Sequence, residues 1–378
     1  FVPVKRIMNF GQKVRLVIVA LWAVFTVTLQ VIYFGILAVI GPIIGDRATR
    51  YIKSYLMGVY LRFLRFFITD FKVILTGDVD KLEQTKNNRC VYIQNHQTEL
   101  DWLFCNYFLQ MFDRESDFSA VMKGSIGSVP TFGYIVKDLG MCLLDRNWQS
   151  DQSHFKDFMT RFETHPRPIC AFICPEGTTI TAHTYKRSQE YAAKTNRPVF
   201  EHLLLPRSTG LTFMLLELRR WEKETGEKVY VYDTTMQFEG YTGEICQDDY
   251  TRVVDTTFPD VDNSFWSRRP IHCHIHVNVV PISDILSDDA KNMEEAGKEV
   301  EKWLDQSWIE KEKQLEYFTK HQTYDDEWNV NRKVENFDFA HRVKDSIPWV
   351  GLALGALCLD YVCIKGVSWL YHSIVGLF

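Results

Sequence analysis

The chain has 378 residues, 46% of them hydrophobic and 14% aromatic, with a formal net charge of −5 at pH 7. That length suits one large domain with appendages, or two smaller domains. The acidic balance offers no global basic surface for nucleic acid, so any attraction to anionic lipid has to come from local basic clusters. Nine cysteines, without CxxC pairs or a regular framework, argue against a disulfide scaffold. Cys90, Cys142 and Cys174 sit in apolar runs, where a reduced thiol behaves as a small apolar residue. A catalytic domain facing the cytosol fits this usage.

The run from Val14 to Ile44 is almost wholly apolar. As one straight helix it would be roughly 46 Å long, against a bilayer hydrocarbon core of roughly 30 Å. It is expected to span with strong tilt, or to break at Gly35 or Gly41-Pro42. Lys5, Arg6, Lys13 and Arg15 lie near its start, and Arg47, Arg50 and Lys53 follow it, so the positive-inside rule gives no orientation. Over residues 50–69, Arg50, Ser54, Gly58, Arg62 and Arg65 form a narrow polar stripe beside a wide aromatic and apolar face. Such a helix either lies at the lipid interface or packs on a catalytic domain.

From Phe71 the pattern alternates between strands and helices. Strands are predicted at Phe71–Leu75, Val91–Ile93 and Cys170–Cys174, then at Val229–Tyr232 and near His272–Val280. Helical periodicity occupies 100–111, 151–164, 186–195 and 209–224. The alternation predicts an α/β domain, with a mixed, partly parallel sheet flanked by helices. A long amphipathic helix is marked by Met293, Ala296, Val300, Leu304, Trp308, Leu315 and Phe318. The stretch 321–346 reads as polar loop, and a second apolar region runs from Ile347 to Phe378, interrupted by Asp360 and Lys365. The organisation predicted is a membrane anchor and amphipathic helix over 1–70 and a catalytic domain over 71–285. An amphipathic helix with a polar connector covers 286–346, and a membrane-associated segment covers 347–378.

The most informative stretch is Asn95-His96-Gln97-Thr98-Glu99-Leu100-Asp101, directly after the apolar run ending at Ile93. On one ideal helix, residues five apart diverge by about 140°, so His96 and Asp101 would not meet. They meet if His96 sits in the turn and Asp101 on the first turn of the next helix. Asp101 then fixes the imidazole tautomer that leaves the other nitrogen basic. The plainer alternative is a buried histidine and a helix-start aspartate that never touch.

Three further blocks decide between these. They are Gly140-Met141-Cys142-Leu143-Leu144-Asp145-Arg146-Asn147-Trp148, Ile173-Cys174-Pro175-Glu176-Gly177-Thr178-Thr179 and Leu204-Leu205-Pro206-Arg207-Ser208-Thr209-Gly210. With the His-Asp block, in this order, the chain resembles the glycerolipid acyltransferase family over about residues 70–285. The late His272-Cys273-His274-Ile275-His276-Val277 strand is most similar to the lysocardiolipin and lysophosphatidylinositol acyltransferase branch. The resemblance implies transfer of a fatty acyl group from acyl-CoA to a lysophospholipid hydroxyl at an endoplasmic reticulum membrane. Acyl-CoA is then a co-substrate, and no resident cofactor or metal is implied.

By that resemblance His96 is the general base and Asp101 its orienting partner, in a direct attack without a covalent enzyme intermediate. Glu176 and Gly177 belong to the block that binds the acyl acceptor, and amides of the Glu176-Gly177-Thr178 turn are candidate oxyanion donors. Arg146 is the first candidate for a phosphate contact and Lys123 the second. Asn95 and Pro206 complete the expected binding set. Many lysophosphatidic acid acyltransferases carry arginine where this chain has Thr179. An arginine there would clamp a terminal phosphate, so a phosphodiester acceptor such as lysophosphatidylinositol is expected over lysophosphatidic acid. The rival readings are a lysophosphatidic acid acyltransferase, a non-catalytic membrane lipid-binding protein, and a lipid hydrolase. His272, His274 and His276 alternate on one strand face, but no accompanying carboxylate or cysteine pattern supports zinc. Gly124-Ser125-Ile126-Gly127 is not a nucleophile elbow.

Overall fold

A computed structural model describes residues 10–64, 71–129, 132–245, 271–290, 292–324, 331–338, 340–341 and 343–355. Two helices lead the chain, α1 (Phe10–Ile44) and α2 (Asp46–Leu64). There follow β1 (Phe71–Gly77), α3 (Val79–Thr85), β2 (Arg89–Gln94), α4 (Asp101–Gln110), β3 (Phe118–Lys123) and α5 (Phe132–Asp138). Next come β4 (Cys142–Leu144), α6 (Trp148–Thr164), β5 (Cys170–Ile173), α7 (Ala182–Thr195), α8 (Thr209–Thr225) and β6 (Val229–Phe238). The later elements are β7 (Ile271–Pro281), α9 (Met293–His321) and β8 (Asn331–Phe337). Residues 343–355 are helical.

The strands form one eight-stranded sheet in the order β4-β3-β5-β2-β6-β7-β1-β8. Its pairings are parallel except β6 with β7 and β1 with β8. This is the mixed, partly parallel sheet the alternation predicts. The period-two geometry of β2 divides its side chains between two cores. Cys90 and Tyr92 face α4, among Phe104, Phe108 and Phe172. Val91 and Ile93 face the other way, among side chains of α6, α8 and α9 such as Phe158, Leu215 and Trp308. A strand covered on both faces has no need of polar alternation, which is why β2 reads as a short continuous apolar run.

Two expectations change. The stretch 321–346 is not simply loop, because Asn331–Phe337 pairs antiparallel with β1 as an edge strand. Its sequence, Asn-Arg-Lys-Val-Glu-Asn-Phe, is polar because charge on an outer strand blocks further pairing. The first apolar run does not break at Gly35 or Pro42, since α1 is continuous through both and turns into α2 at Gly45, whose φ is +86°. Among the described residues no helix is long and apolar enough to cross a membrane. Much of the first half of α1 has side chains outside the described set, and so does the C-terminal apolar run from residue 356 onward.

The polar stripe of α2 is a docking edge. The Arg50 guanidinium donates to Thr164 Oγ1 at 2.9 Å, and Ser54 Oγ meets His165 Nε2 at 3.1 Å. Arg62 Nε donates to Glu115 Oε1 at 2.7 Å. Gly58 lies so close to Ser116 that an added Cβ would stand 2.2 Å from its Oγ and 3.1 Å from its Cα. So α2 packs on the sheet domain through its polar stripe as well as through Met57, Val59, Tyr60 and Leu61, and leaves Tyr51 and Tyr55 exposed. Arg65 falls outside the described residues.

Gly58→Val should therefore lever α2 off the domain. Overpacking of this kind costs about 1–3 kcal/mol. The thermal midpoint of the purified protein should fall, and an unchanged midpoint would show that this edge carries no stability.

Candidate active site

In an open α/β sheet, ligands collect beyond the carboxyl ends of the parallel strands. Four site segments of this chain leave such ends: His96 after β2, Lys123 closing β3, Arg146 after β4 and Glu176 after β5. The sheet order puts these four strands side by side.

The turn after β2 brings His96 and Asp101 together. His96 Nδ1 lies 2.8 Å from Asp101 Oδ2. The same carboxylate accepts the backbone N–H of Gln97 at 2.8 Å and that of Thr98 at 3.2 Å, so it holds the turn that presents the histidine. Asp101 is buried, and burial raises its carboxyl above the ordinary range, while the His96 contact and the two amides pull it back down. The His96 side chain is 23% exposed, which leaves the ring accessible from the cavity beside it. The intervening segment is not helical, and this breaks the 140° divergence of a continuous helix.

That cavity has a volume of about 630 Å³. His96, Asp101 and Trp102 line it, with Lys123, Arg146, Thr178, Thr179 and Arg207 as polar wall. Met57, Phe118, Val136, Met141 and Phe172 belong to its apolar lining, and the carboxylates of Glu99 and Asp151 line it too. Met57 comes from α2, so the leading helices contribute to the pocket.

Three expected binding residues do not reach the cavity. Asn95 is fully buried, and its amide bonds the backbone of Met236 in both directions, at 3.0 and 2.8 Å. It ties the end of β2 to β6 and so fixes the root of the His96 turn. Pro206 is buried, and its carbonyl accepts from Arg197 at 3.1 Å. Glu176 is buried beside Trp308, whose Nε1 donates to its carboxyl at 3.4 Å. Burial pushes the Glu176 carboxyl up to about 8, against the amides of His96 and Leu204. Its neighbour Gly177 does line the cavity, with φ +72°. The Gly177 N–H closes a turn onto Cys174 O at 3.0 Å, so this member of the oxyanion set is already engaged.

Arg146 adopts a φ of +65° and donates from Nη2 to Gly177 O at 3.1 Å, joining the second and third blocks. Arg207, next to the expected Pro206, is the pocket cation that the sequence reading passed over. Its position inside the fourth block was the available signal. Among the described residues, His96, Asp101 and Cys174 are the group whose ligand atoms lie within 4.8 Å of one another. Burial raises the Cys174 thiol well above its usual range, so it stays a neutral thiol and a poor metal ligand. The three β7 histidines serve separate contacts: His272 with Glu239, His274 against Phe318, and His276 with Thr76.

Comparison with known proteins places the chain among acyltransferases. The acyltransferase family model matches residues 77–237. A second, describing the acyltransferase C-terminus, matches residues 264–349. The chain belongs to the glycerolipid acyltransferase family. It is an acyltransferase enzyme of the transferase class. It is 28% identical over 294 residues to lysocardiolipin acyltransferase 1 of Gallus gallus, covering 76% of this chain and 70% of that protein. A probable 1-acyl-sn-glycerol-3-phosphate acyltransferase 5 of Arabidopsis thaliana is 25% identical over 310 residues, 80% of this chain and 73% of that one. Lysophosphatidylinositol acyltransferase 10 of Caenorhabditis elegans is 25% identical over 295 residues, 76% of this chain and 64% of that one.

The buried Glu176 of this acyltransferase makes a pH prediction. Its carboxyl binds a proton more tightly folded, at about 8, than unfolded, at about 4.5. The stability this contributes is fully present below pH 4.5 and is lost as pH rises through about 8. Glu176→Gln should keep the fold and flatten that loss, read as thermal midpoint between pH 5 and 9. A wild-type midpoint that climbs over the same range, and more steeply than the variant's, would contradict it.

Proposed function

We propose that this acyltransferase moves a fatty acyl group from acyl-CoA to the free hydroxyl of a lysophospholipid at a membrane surface. The observation that carries the reading is Asp101 holding His96 beside a cavity lined by Lys123, Arg146 and Arg207 together with a large apolar surface. His96 Nε2 takes the proton of the acceptor hydroxyl as its oxygen attacks the thioester carbonyl. The tetrahedral intermediate then collapses, the carbon–sulfur bond breaks, and the coenzyme A thiolate takes a proton from the imidazolium. Acyl transfer by this route needs no covalent enzyme intermediate. Asp101 holds the tautomer that keeps Nε2 basic and stabilises the imidazolium. With the Gly177 amide engaged, the Thr178 amide is the better oxyanion donor of that turn.

A bilayer is the natural source of both chains. Val39 and Ile43 of α1, and Ile347 and Leu354 of the 343–355 helix, are strongly exposed apolar residues. Tyr33 of α1 donates its hydroxyl to Leu352 O at 2.5 Å, so the two helices present this apolar surface together. We place the enzyme at the endoplasmic reticulum with its catalytic domain on the cytosolic side, in keeping with the free, buried cysteines of the sheet.

For the acceptor, Thr179 stands at the cavity where an arginine would clamp a phosphomonoester. Relatives named for lysocardiolipin and lysophosphatidylinositol point the same way. An acceptor with a substituted phosphate is therefore preferred over lysophosphatidic acid. The relative named for 1-acyl-sn-glycerol-3-phosphate supports the second reading, synthesis of phosphatidic acid.

His96→Ala should lower turnover by about 10²–10⁴-fold in folded protein. Asp101→Asn should also lower it strongly, by favouring the wrong tautomer. Near-normal turnover in folded His96→Ala protein would end the mechanism. Release of free coenzyme A should depend on added lysolipid; release independent of it would indicate a hydrolase. A competition assay between lysophosphatidylinositol and lysophosphatidic acid tests the headgroup, and a tenfold or greater preference for the latter, on the scale of one charged contact, would overturn the argument from Thr179.

A further inference from the structure

We propose that Arg207 is the specificity-determining residue that binds the acceptor's phosphate, beside the same Gly177 that Arg146 contacts. The inference rests on the reading of this site as a lysophospholipid acyltransferase. Arg207 lines the cavity and is exposed there. Among the described residues its guanidinium has no ion pair or hydrogen-bond partner. Arg146, by contrast, already donates to the Gly177 carbonyl.

The position of Arg207 is built, not incidental. Its backbone N–H donates to Pro175 O at 2.9 Å, which locks the fourth block against the third. A Cβ added to Gly177 would stand 3.7 Å from Arg207 Cδ and 3.8 Å from Nε. Two arginines from separate blocks therefore converge on one glycine. A guanidinium offers paired donors matched to phosphate oxygens.

A second feature favours an anion at the same place. Arg207 lies two residues before α8, a helix of 17 residues, and Thr209 and Gly210 of its first turn line the cavity. The first-turn amides have no acceptor within the helix, and no side chain caps them. Free amides and the helix dipole both favour a negative charge there. Lys123 closes β3, the strand between β4 and β5, and lines the same cavity. The fourth block thus supplies a phosphate contact of its own, while Thr179 still leaves a phosphomonoester without the clamp an arginine there would give.

The cavity also has to accept coenzyme A, whose phosphates share this chemistry, so the test separates acceptor from donor. Full-length wild type, Arg207→Ala and Arg207→Lys are assayed on vesicles, varying lysophosphatidylinositol and acyl-CoA in turn. Wild-type turnover tests the parent reading by itself. Arg207→Ala should raise KM for the lysolipid about 10–100-fold, as loss of a charge-assisted contact would. KM for acyl-CoA should stay within about twofold, well inside the effect of one such contact, and the thermal midpoint should not change. Arg207→Lys keeps the charge without the paired donors and should fall between. An unchanged lysolipid KM in active variants would overturn the proposal, as would a rise confined to acyl-CoA. If Arg207→Ala fails to fold, a wild-type lysolipid KM for Arg207→Lys would overturn it, and a raised one with unchanged acyl-CoA KM would support it.

Discussion

The site depends on one buried carboxylate. Asp101 accepts His96 Nδ1 and the amides of Gln97 and Thr98 together. A carboxylate out of water is costly unless hydrogen bonds compensate it, and these three donors are what the turn after β2 provides. The same bonds that make the charge tolerable set the direction of the imidazole. Asn95 anchors the turn from below by bonding both backbone groups of Met236. Catalytic geometry and sheet geometry are therefore one arrangement.

The C-terminal part of the chain belongs to this arrangement more closely than a connector would. Trp308 of α9 is buried against Glu176, and Lys311 pairs with Asp233 at 2.5 Å while donating to Thr234 O. Ser307 donates to the other Asp233 oxygen at 2.6 Å. One face of α9 thus supplies polar partners to β6 and to the segment after β5. Removing any one would leave a buried group unpaired, and such a loss costs more than the pair itself contributes. Arg197 extends the tie, pairing with Asp305 of α9 and donating to Pro206 O.

At the other end of the chain, α2 explains how a leading helix can help shape a pocket. Its polar stripe bonds to Thr164, His165 and Glu115, and its apolar face sends Met57 to the cavity wall. Helix α1 then packs Phe34 and Leu37 against Leu56 of α2 and Ile135 of α5. Since Val136 of α5 also lines the cavity, the apolar surface of the leading helices is continuous with its wall.

Much of this was legible in the sequence because it is local. Strand and helix periods placed β2, β5, α6, α8 and α9, and the blocks marked by His96, Arg146 and Glu176 follow strand ends, where a loop's residue types report its chemistry. What stayed hidden depends on partners distant in the chain. A charged segment such as Asn331–Phe337 becomes a strand only because β1 offers it an edge. The stripe on α2 reads equally well as lipid-facing or domain-facing until Ser116, Thr164 and His165 are beside it. Burial, likewise, separates Glu176, Asn95 and Pro206, which support the site, from Arg207, which enters it. The sequence by itself determined the family and singled out His96 and Asp101, because the His-Asp spacing spans a single turn. Only the tertiary structure decided which polar residues of the blocks face the cavity, because desolvation is set by everything that packs around a side chain.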